Sequence, residues 1–191
     1  MNNIRKIAYA DPPYLGCSRY YDHPNAGIWD NPRTHIDLMD VMDNEYDAWA
    51  LSLSSTSLRK LLPESPPDTR VAAWVKPFAS FKPGIDPAYA WEPVLFKTSR
   101  VWAKTQHTCR DFVSSNITFQ KGVIGAKPDT FSFWLFELLG IRPMDEFVDL
   151  FVGSGNVTQA WHTYRNQTEL ELVWEDSKNE IEEADFEVLS E

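Results

Sequence analysis

Two short apolar runs lie at opposite ends of the chain, Ile7-Ala8-Tyr9-Ala10 and Phe147-Val148-Asp149-Leu150-Phe151, and each stops at a turn suited to holding a ligand. The first ends in Asp11-Pro12-Pro13-Tyr14; the second ends in Gly153-Ser154-Gly155 and is followed by the helix-compatible stretch Val157 to Arg165. Between them, apolar patterning alternates between strand and helix periods. Strands are predicted over 5–10, 47–53, 70–75, 91–96 and 147–151. Helices are predicted over 34–45, with Ile36, Leu38, Met39 and Met42 on the apolar side, over 54–62, and where Phe131, Trp134, Leu135, Leu138 and Leu139 fall at helical spacing. A Pro- and Gly-rich segment between the strands at 70–75 and 91–96 reads as a hairpin loop or a lid. This rhythm predicts an α/β fold: a mainly parallel sheet, helices on both faces, ligands at the carboxyl ends of the strands, and the strand ending at Asp11 beside the one ending at Phe151.

The chemistry of the two turns is specific. The amino nitrogen of adenine or cytosine is a poor nucleophile because its lone pair is delocalised into the ring. Two acceptors aimed at its hydrogens localise that pair: the Asp11 side chain supplies one, and the Pro12 carbonyl, restrained by Pro13, supplies the other. Tyr14 offers a ring for stacking. At the second turn, two glycines let the backbone approach a small molecule while the following helix start offers amide donors. Neither the Lys-Ser/Thr of a phosphate-binding loop nor the full dinucleotide fingerprint is present. Glu175, 20 residues beyond Gly155 and after the strand-like run Leu170 to Trp174, is placed to grip ribose hydroxyls, so an adenosine-containing ligand is expected.

With both motifs on view, the chain resembles the S-adenosylmethionine-dependent amino-methyltransferases that modify adenine or cytosine in nucleic acid. The tetrad Asp11 to Tyr14 looks like their catalytic pocket, and Phe151 to Gly155 looks like their cofactor turn. The catalytic motif precedes the cofactor motif, as in the circularly permuted group. Gly125-Ala126-Lys127-Pro128 resembles the Lys-Pro element upstream of that group's cofactor turn. Ala73-Trp74-Val75-Lys76, Gly84 and Ala90-Trp91-Glu92-Pro93 are similar to the permuted enzymes that methylate messenger-RNA adenosine, which usually carry Trp at the position of Tyr14. The resemblance implies a Rossmann-like methyltransferase fold and S-adenosylmethionine as cofactor. It implies cofactor contacts from Asp149, Phe151, Gly153, Ser154 and Gly155, a ribose contact from Glu175, and a cofactor wall from Lys127 and Pro128. It also implies a target base flipped into the pocket, its amino nitrogen attacking the cofactor methyl in line.

Charge refines the reading of the partner. The net charge of −10 over 191 residues argues against phosphate binding, but residues 169–191 hold 10 acidic and one basic side chain, leaving 18 acidic and 17 basic in the rest. Between Lys97 and Lys127 the sign reverses: Lys97, Arg100, Lys104, Arg110, Lys121 and Lys127 face only Asp111, with Trp102, His107, Phe112 and Phe119 interleaved, a pattern suited to a nucleic-acid groove. The organisation expected is one catalytic domain over 1–176, with 97–127 as its nucleic-acid-reading insert, then an acidic tail over 177–191.

Other classes recede. Cys17 and Cys109 lack metal or disulfide spacing, and His23, His35, His107 and His162 are scattered, so no metal site is expected. The apolar stretch Phe131 to Ile141 is too short to span a bilayer, and a cytoplasmic protein without a membrane partner is expected. Only 16 residues follow Glu175, so the helix and strand that often complete the family's adenine pocket are expected to be shortened or absent, with weaker cofactor binding; no separate recognition domain is visible, which points to loose specificity, a homodimer or a partner subunit. A stand-alone modification domain of this size fits a phage or mobile-element enzyme. Asp at position 11 favours adenine in DNA; cytosine enzymes more often carry Ser there, and protein-glutamine methylases Asn. RNA adenine or DNA cytosine methylation, and a non-catalytic subunit of a heterodimer, are the alternatives.

Overall fold

The computed structural model describes residues 3–78, 84–98, 108–117 and 126–168. The strand β1 (Lys6–Ala10) is buried on both faces. It pairs in parallel with β2 (Ala48–Ser52) on one side and with a strand near the far end of the sequence, Glu146–Asp149, on the other. Beyond β2 lie β4 (Trp91–Thr98), antiparallel to it, then β3 (Arg70–Val75), antiparallel to β4, and β5 (Phe112–Ser114), parallel to β3. With Glu146–Asp149 as β6, the order is β5-β3-β4-β2-β1-β6, and β4 alone runs against the others.

Because strand side chains alternate in direction, each strand feeds two cores. Ile7, Tyr9, Ala48, Ala50, Val94, Phe96, Ala72 and Trp74 face α3 (Asp129–Leu139) and α4 (residues 156–168), joining Phe131, Leu135, Phe136 and Trp161. Ala8, Ala10, Trp49, Leu51 and Leu95 face α1 (Pro32–Glu45) and α2 (Ser55–Leu61), meeting Met39, Met42 and Leu61. Helices therefore cover both faces, as the sequence alternation predicts.

The boundaries have local causes. Helix α1 starts before the predicted residue 34 because Asn31 caps it, accepting from Arg33 N at 3.0 Å, and Pro32 suits a first turn. Helix α3 ends at Gly140, whose φ of 59° permits the paired bonds Gly140 N to Glu137 O and Ile141 N to Phe136 O. Strand β6 stops at Asp149, two residues short of prediction, because the Asp149 carboxylate accepts from Phe151 N at 3.2 Å and turns the chain. Strand β4 runs two residues past prediction to Thr98 because β2 offers ladder partners that far. Strand β5 falls inside the region expected to be irregular; three residues carry too little periodicity to be read. The predicted strand at 170–174 and the acidic tail lie outside the described residues.

At the amino edge of the sheet, Asp145 is 4% exposed and ties β1 to the α3–β6 connection. It binds Arg5 Nη2 at 2.7 Å and Arg142 Nη2 at 2.6 Å, and it accepts from both backbone amides. Burial pushes its carboxyl up, but the two guanidiniums and two amides outweigh burial and hold it far below the usual range.

Candidate active site

Four strands each end their α3-facing stripe in a polar residue at the same edge of the sheet. The stripe Ile7-Tyr9 continues to Asp11, Ala48-Ala50 to Ser52, and Ala72-Trp74 to Lys76, while the antiparallel stripe Phe96-Val94 arrives at Glu92. Period-two alternation thus gathers these groups where the apolar core gives out. Lys127, the residue before the α3 cap, enters from above with its side chain 5% exposed.

Lys127 Nζ spends its donors on three acceptors: Tyr14 Oη at 2.9 Å, Glu92 Oε2 at 3.1 Å and Asp11 Oδ1 at 3.2 Å. It also lies over the rings of Tyr14, Trp74 and Phe131, at 5.5, 5.2 and 5.5 Å from their centres. Tyr14 Oη is 3.0 Å from Asp11 Oδ1 and 2.9 Å from Glu92 Oε2, and its single proton serves one of them at a time. Lys76 Nζ bonds Glu92 Oε1, and Trp74 Nε1 donates to the Ser115 carbonyl at 3.0 Å, fixing the indole beneath the lysines. Two carboxylates thus face two ammonium groups.

This balance sets the protonation states. Burial raises the Asp11 carboxyl and Glu92 raises it further, against Lys127 and Tyr14, leaving it above its ordinary value and a stronger acceptor. Burial also works on Glu92, but Lys127 and Lys76 win and hold it at about 2. Burial lowers Lys127, yet Asp11 and Glu92 keep it well above its ordinary value and charged. Tyr14 is pushed well above 10.0 by burial and then by the two carboxylates, so the phenol stays neutral. Below the network, Tyr9 Oη and Ser52 Oγ share a buried hydrogen bond of 2.8 Å.

The second turn lies alongside. The ladder sets Tyr9 opposite Asp149, and Leu150 N donates to the Tyr9 carbonyl at 2.9 Å, so Asp11 and the Phe151–Gly155 turn leave adjacent strands at the same edge. Gly153 and Gly155 have φ of 49° and 79°, in the left-handed region, and a Cβ at Gly155 would meet open space. Asp149 accepts from Thr158 Oγ1 of α4 at 3.0 Å. Burial raises its carboxyl, Thr158 and the Phe151 amide lower it, and Asp11 raises it, for a net rise. Asn156 Nδ2 donates to the Lys127 carbonyl at 3.5 Å, linking the turn to the lysine segment.

Phe151 points away from α3 and meets Trp29 edge to face at 5.0 Å. Trp29 in turn contacts His35, whose Nε2 donates to the Trp29 carbonyl at 2.9 Å, while burial lowers the imidazole pKa against that bond.

Asp11, Tyr14, Lys127, Asp149 and the turn residues are therefore brought to one edge of the sheet, while Pro128 caps α3. Lys97 is placed elsewhere: its ammonium binds Asp43 at 2.7 and 3.0 Å near the start of β2. Arg110 stacks on Phe112 at 6.0 Å, beside a cleft of about 540 Å³ between β5 and α3. Arg100, Lys104, Lys121 and Glu175 lie outside the described residues. Glu92 and Lys76 sit in quoted motifs but receive no role in the sequence reading. Their signal is the alternation that aligns them with Trp74 across the β3–β4 ladder. Trp29 offers no sequence signal beyond an aromatic before a capped helix. Among the described residues, no helix is long and apolar enough to cross a membrane.

No family model and no curated protein matches this sequence. Among solved structures, the chain is similar to M1.HpyAVI in complex with SAM, with a TM-score of 0.59 and 12% identity over 85% of this chain and 79% of that one. A second structure of M1.HpyAVI gives a TM-score of 0.54 and 16% identity over 86% of this chain and 79% of that one. At such identities the likeness is one of architecture, and the chain has the Rossmann-like α/β fold of S-adenosylmethionine-dependent methyltransferases.

Proposed function

We propose that this chain transfers a methyl group from S-adenosylmethionine to the exocyclic amino group of adenine in DNA, with the permuted motif order of the amino-methyltransferases it resembles. The observation that carries the reading is the β1–β6 pairing, which sets Asp11-Pro12-Pro13-Tyr14 beside the Phe151–Gly155 turn. The residues present suit the cofactor. Gly155 leaves open space at the turn, the amides opening α4 suit its carboxylate, and Asp149 suits its ammonium. Similarity to a structure holding SAM supports the same choice. We assign Asp149, Phe151, Gly153, Ser154 and Gly155 to holding the methionine part and Glu175 to the ribose.

When bound, the cofactor supplies an electrophilic methyl group. The chain's own residues prepare the nucleophile. Asp11 Oδ1 is already engaged by Tyr14 and Lys127, so we assign Oδ2 to one amino hydrogen and the Pro12 carbonyl to the other. Both acceptors draw the amino lone pair out of conjugation. The raised basicity of Asp11 strengthens its part. Tyr14, anchored through its hydroxyl, supplies a ring wall for the base. Lys127, Glu92 and Lys76 position Asp11 and Tyr14 and keep the pocket neutral, so little reorganisation is needed at the moment of transfer.

The test is transfer of labelled methyl from S-adenosylmethionine to unmethylated DNA and RNA in parallel, with the product nucleoside identified by mass spectrometry. N6-methyladenine in DNA is the expected product. Methyl transfer to RNA alone, or methylcytosine as product, would replace the substrate, and no transfer despite cofactor binding would favour a non-catalytic subunit.

A further inference from the structure

The exposed aromatic side chains are unevenly placed. Among the described residues, Tyr20, Tyr21, Phe78, Tyr89 and Trp91 are exposed, and all five lie on segments that leave or enter the carboxyl edge of the sheet, where Asp11 sits; Phe112, opening β5, is the exception. Tyr20 and Tyr21 follow the Asp11–Tyr14 tetrad directly, and Phe78 and Tyr89 belong to the β3–β4 connection. Tyr20 is 56% exposed, Phe78 60% and Tyr89 49%, large values for rings with no apolar partner to gain. Burial and then the Asp11 charge raise the Tyr21 phenol. A cleft of about 460 Å³ opens between Tyr89, Trp91 and Ser55 at the start of α2.

Among the described residues, the cations nearest these rings already have partners. Lys76 and Lys127 are neutralised by Glu92 and Asp11, and the Arg19 guanidinium lies on the Tyr20 ring at 4.8 Å while donating to its hydroxyl at 2.9 Å. A duplex presents its phosphates outward and hides its base faces, so exposed rings have little to stack on there. A single strand offers one base face per nucleotide, and each stacks on any aromatic ring.

Resting on the methyl-transfer reading, we propose that the target is a single-stranded segment of DNA, its bases on either side of the reacting adenine stacked on Tyr20 and Tyr21 on one flank and on Tyr89 and Trp91 on the other. A single strand also spares the cost of unpairing the base before it enters the pocket.

The test compares a labelled single-stranded deoxyoligonucleotide of about 20 nucleotides with the same sequence as a duplex, by fluorescence anisotropy at near-physiological salt and by methyl transfer. Wild-type and Tyr20→Ala/Tyr89→Ala proteins are used; both positions are exposed, and a melting curve checks that the variant folds. The single strand should bind at least 10-fold more tightly, and the double variant should lose about 10-fold or more of that affinity. Equal or tighter binding of the duplex, or an unchanged affinity in the folded variant, would overturn the proposal. Single-strand binding that depends on these rings but without any methyl transfer would keep this surface and reject the reaction instead.

Discussion

Replacing Glu92 by Gln removes one charge from the centre of the Asp11 network while keeping shape and hydrogen-bonding capacity. Glu92 is held at about 2 against an ordinary 4.5 because Lys127 and Lys76 together outweigh the burial that opposes them. Its side chain is 18% exposed, so screening by solvent is limited. A depressed carboxylate stabilises the folded state above its unfolded pKa, and that stability is lost as pH falls through the interval down to the folded value. The difference corresponds to roughly 3 kcal/mol at neutral pH. The Glu92→Gln protein should therefore be less stable by roughly 3 kcal/mol at pH 7. The gap should shrink to roughly half of that at pH 3, where the unfolded chain is protonated and the folded one mostly is not. Urea denaturation at the two pH values measures both quantities. A gap that does not narrow on acidification, or one well under 1 kcal/mol at pH 7, would refute the view that paired charges hold this site together.

Asp11→Ala should reduce methyl transfer by about 100-fold or more while leaving cofactor affinity within a few-fold, since in the proposed reaction Asp11 acts on the base and not on the cofactor; single-turnover transfer and calorimetric titration with S-adenosylmethionine separate the two. Gly155→Ala places a Cβ on a residue with φ of 79°, costing about 1–2 kcal/mol of backbone strain, and puts it into the open space proposed for the cofactor. Its melting temperature should fall by a few degrees and its cofactor affinity by about 10-fold, and unchanged affinity would argue against the turn as a cofactor site. Asp145→Ala strips a buried acceptor from Arg5 and Arg142 and should cost about 3–5 kcal/mol in urea denaturation at neutral pH. Because the Asp145 carboxyl is depressed, its contribution to stability should fade as pH drops below about 4; a loss that persists undiminished in acid would contradict the ion-pair account.

The elements most legible in the sequence are those whose neighbours are local. Helix α1 announces itself through the spacing of Ile36, Met39 and Met42, though not its start at the Asn31 cap, and the strands at Lys6–Ala10 and Arg70–Val75 through apolar runs between turn residues. The Asp11–Tyr14 tetrad and the Phe151–Gly155 turn carry their chemistry in residue type alone, and their shared edge follows from placing both strands in one parallel sheet. Partners that depend on distant segments were not legible. Lys97 reads as one cation in a basic stretch, but the β2–β4 register brings it to Asp43.

By itself, then, the order of residues determined most of the strands and helices, β5 excepted, and singled out the two turns expected to meet a ligand, because hydrophobic periods and turn residues act over a short stretch of chain. Only the tertiary structure decided that β4 inserts antiparallel between β2 and β3, and that Glu92 thereby reaches Lys127 and Tyr14 from the far side of the site. The same packing closes a charge-balanced network around Asp11 that no linear spacing encodes. The physical reason is that burial and charge pairing depend on distances across strands, which are set once the sheet has assembled and its two cores have been filled.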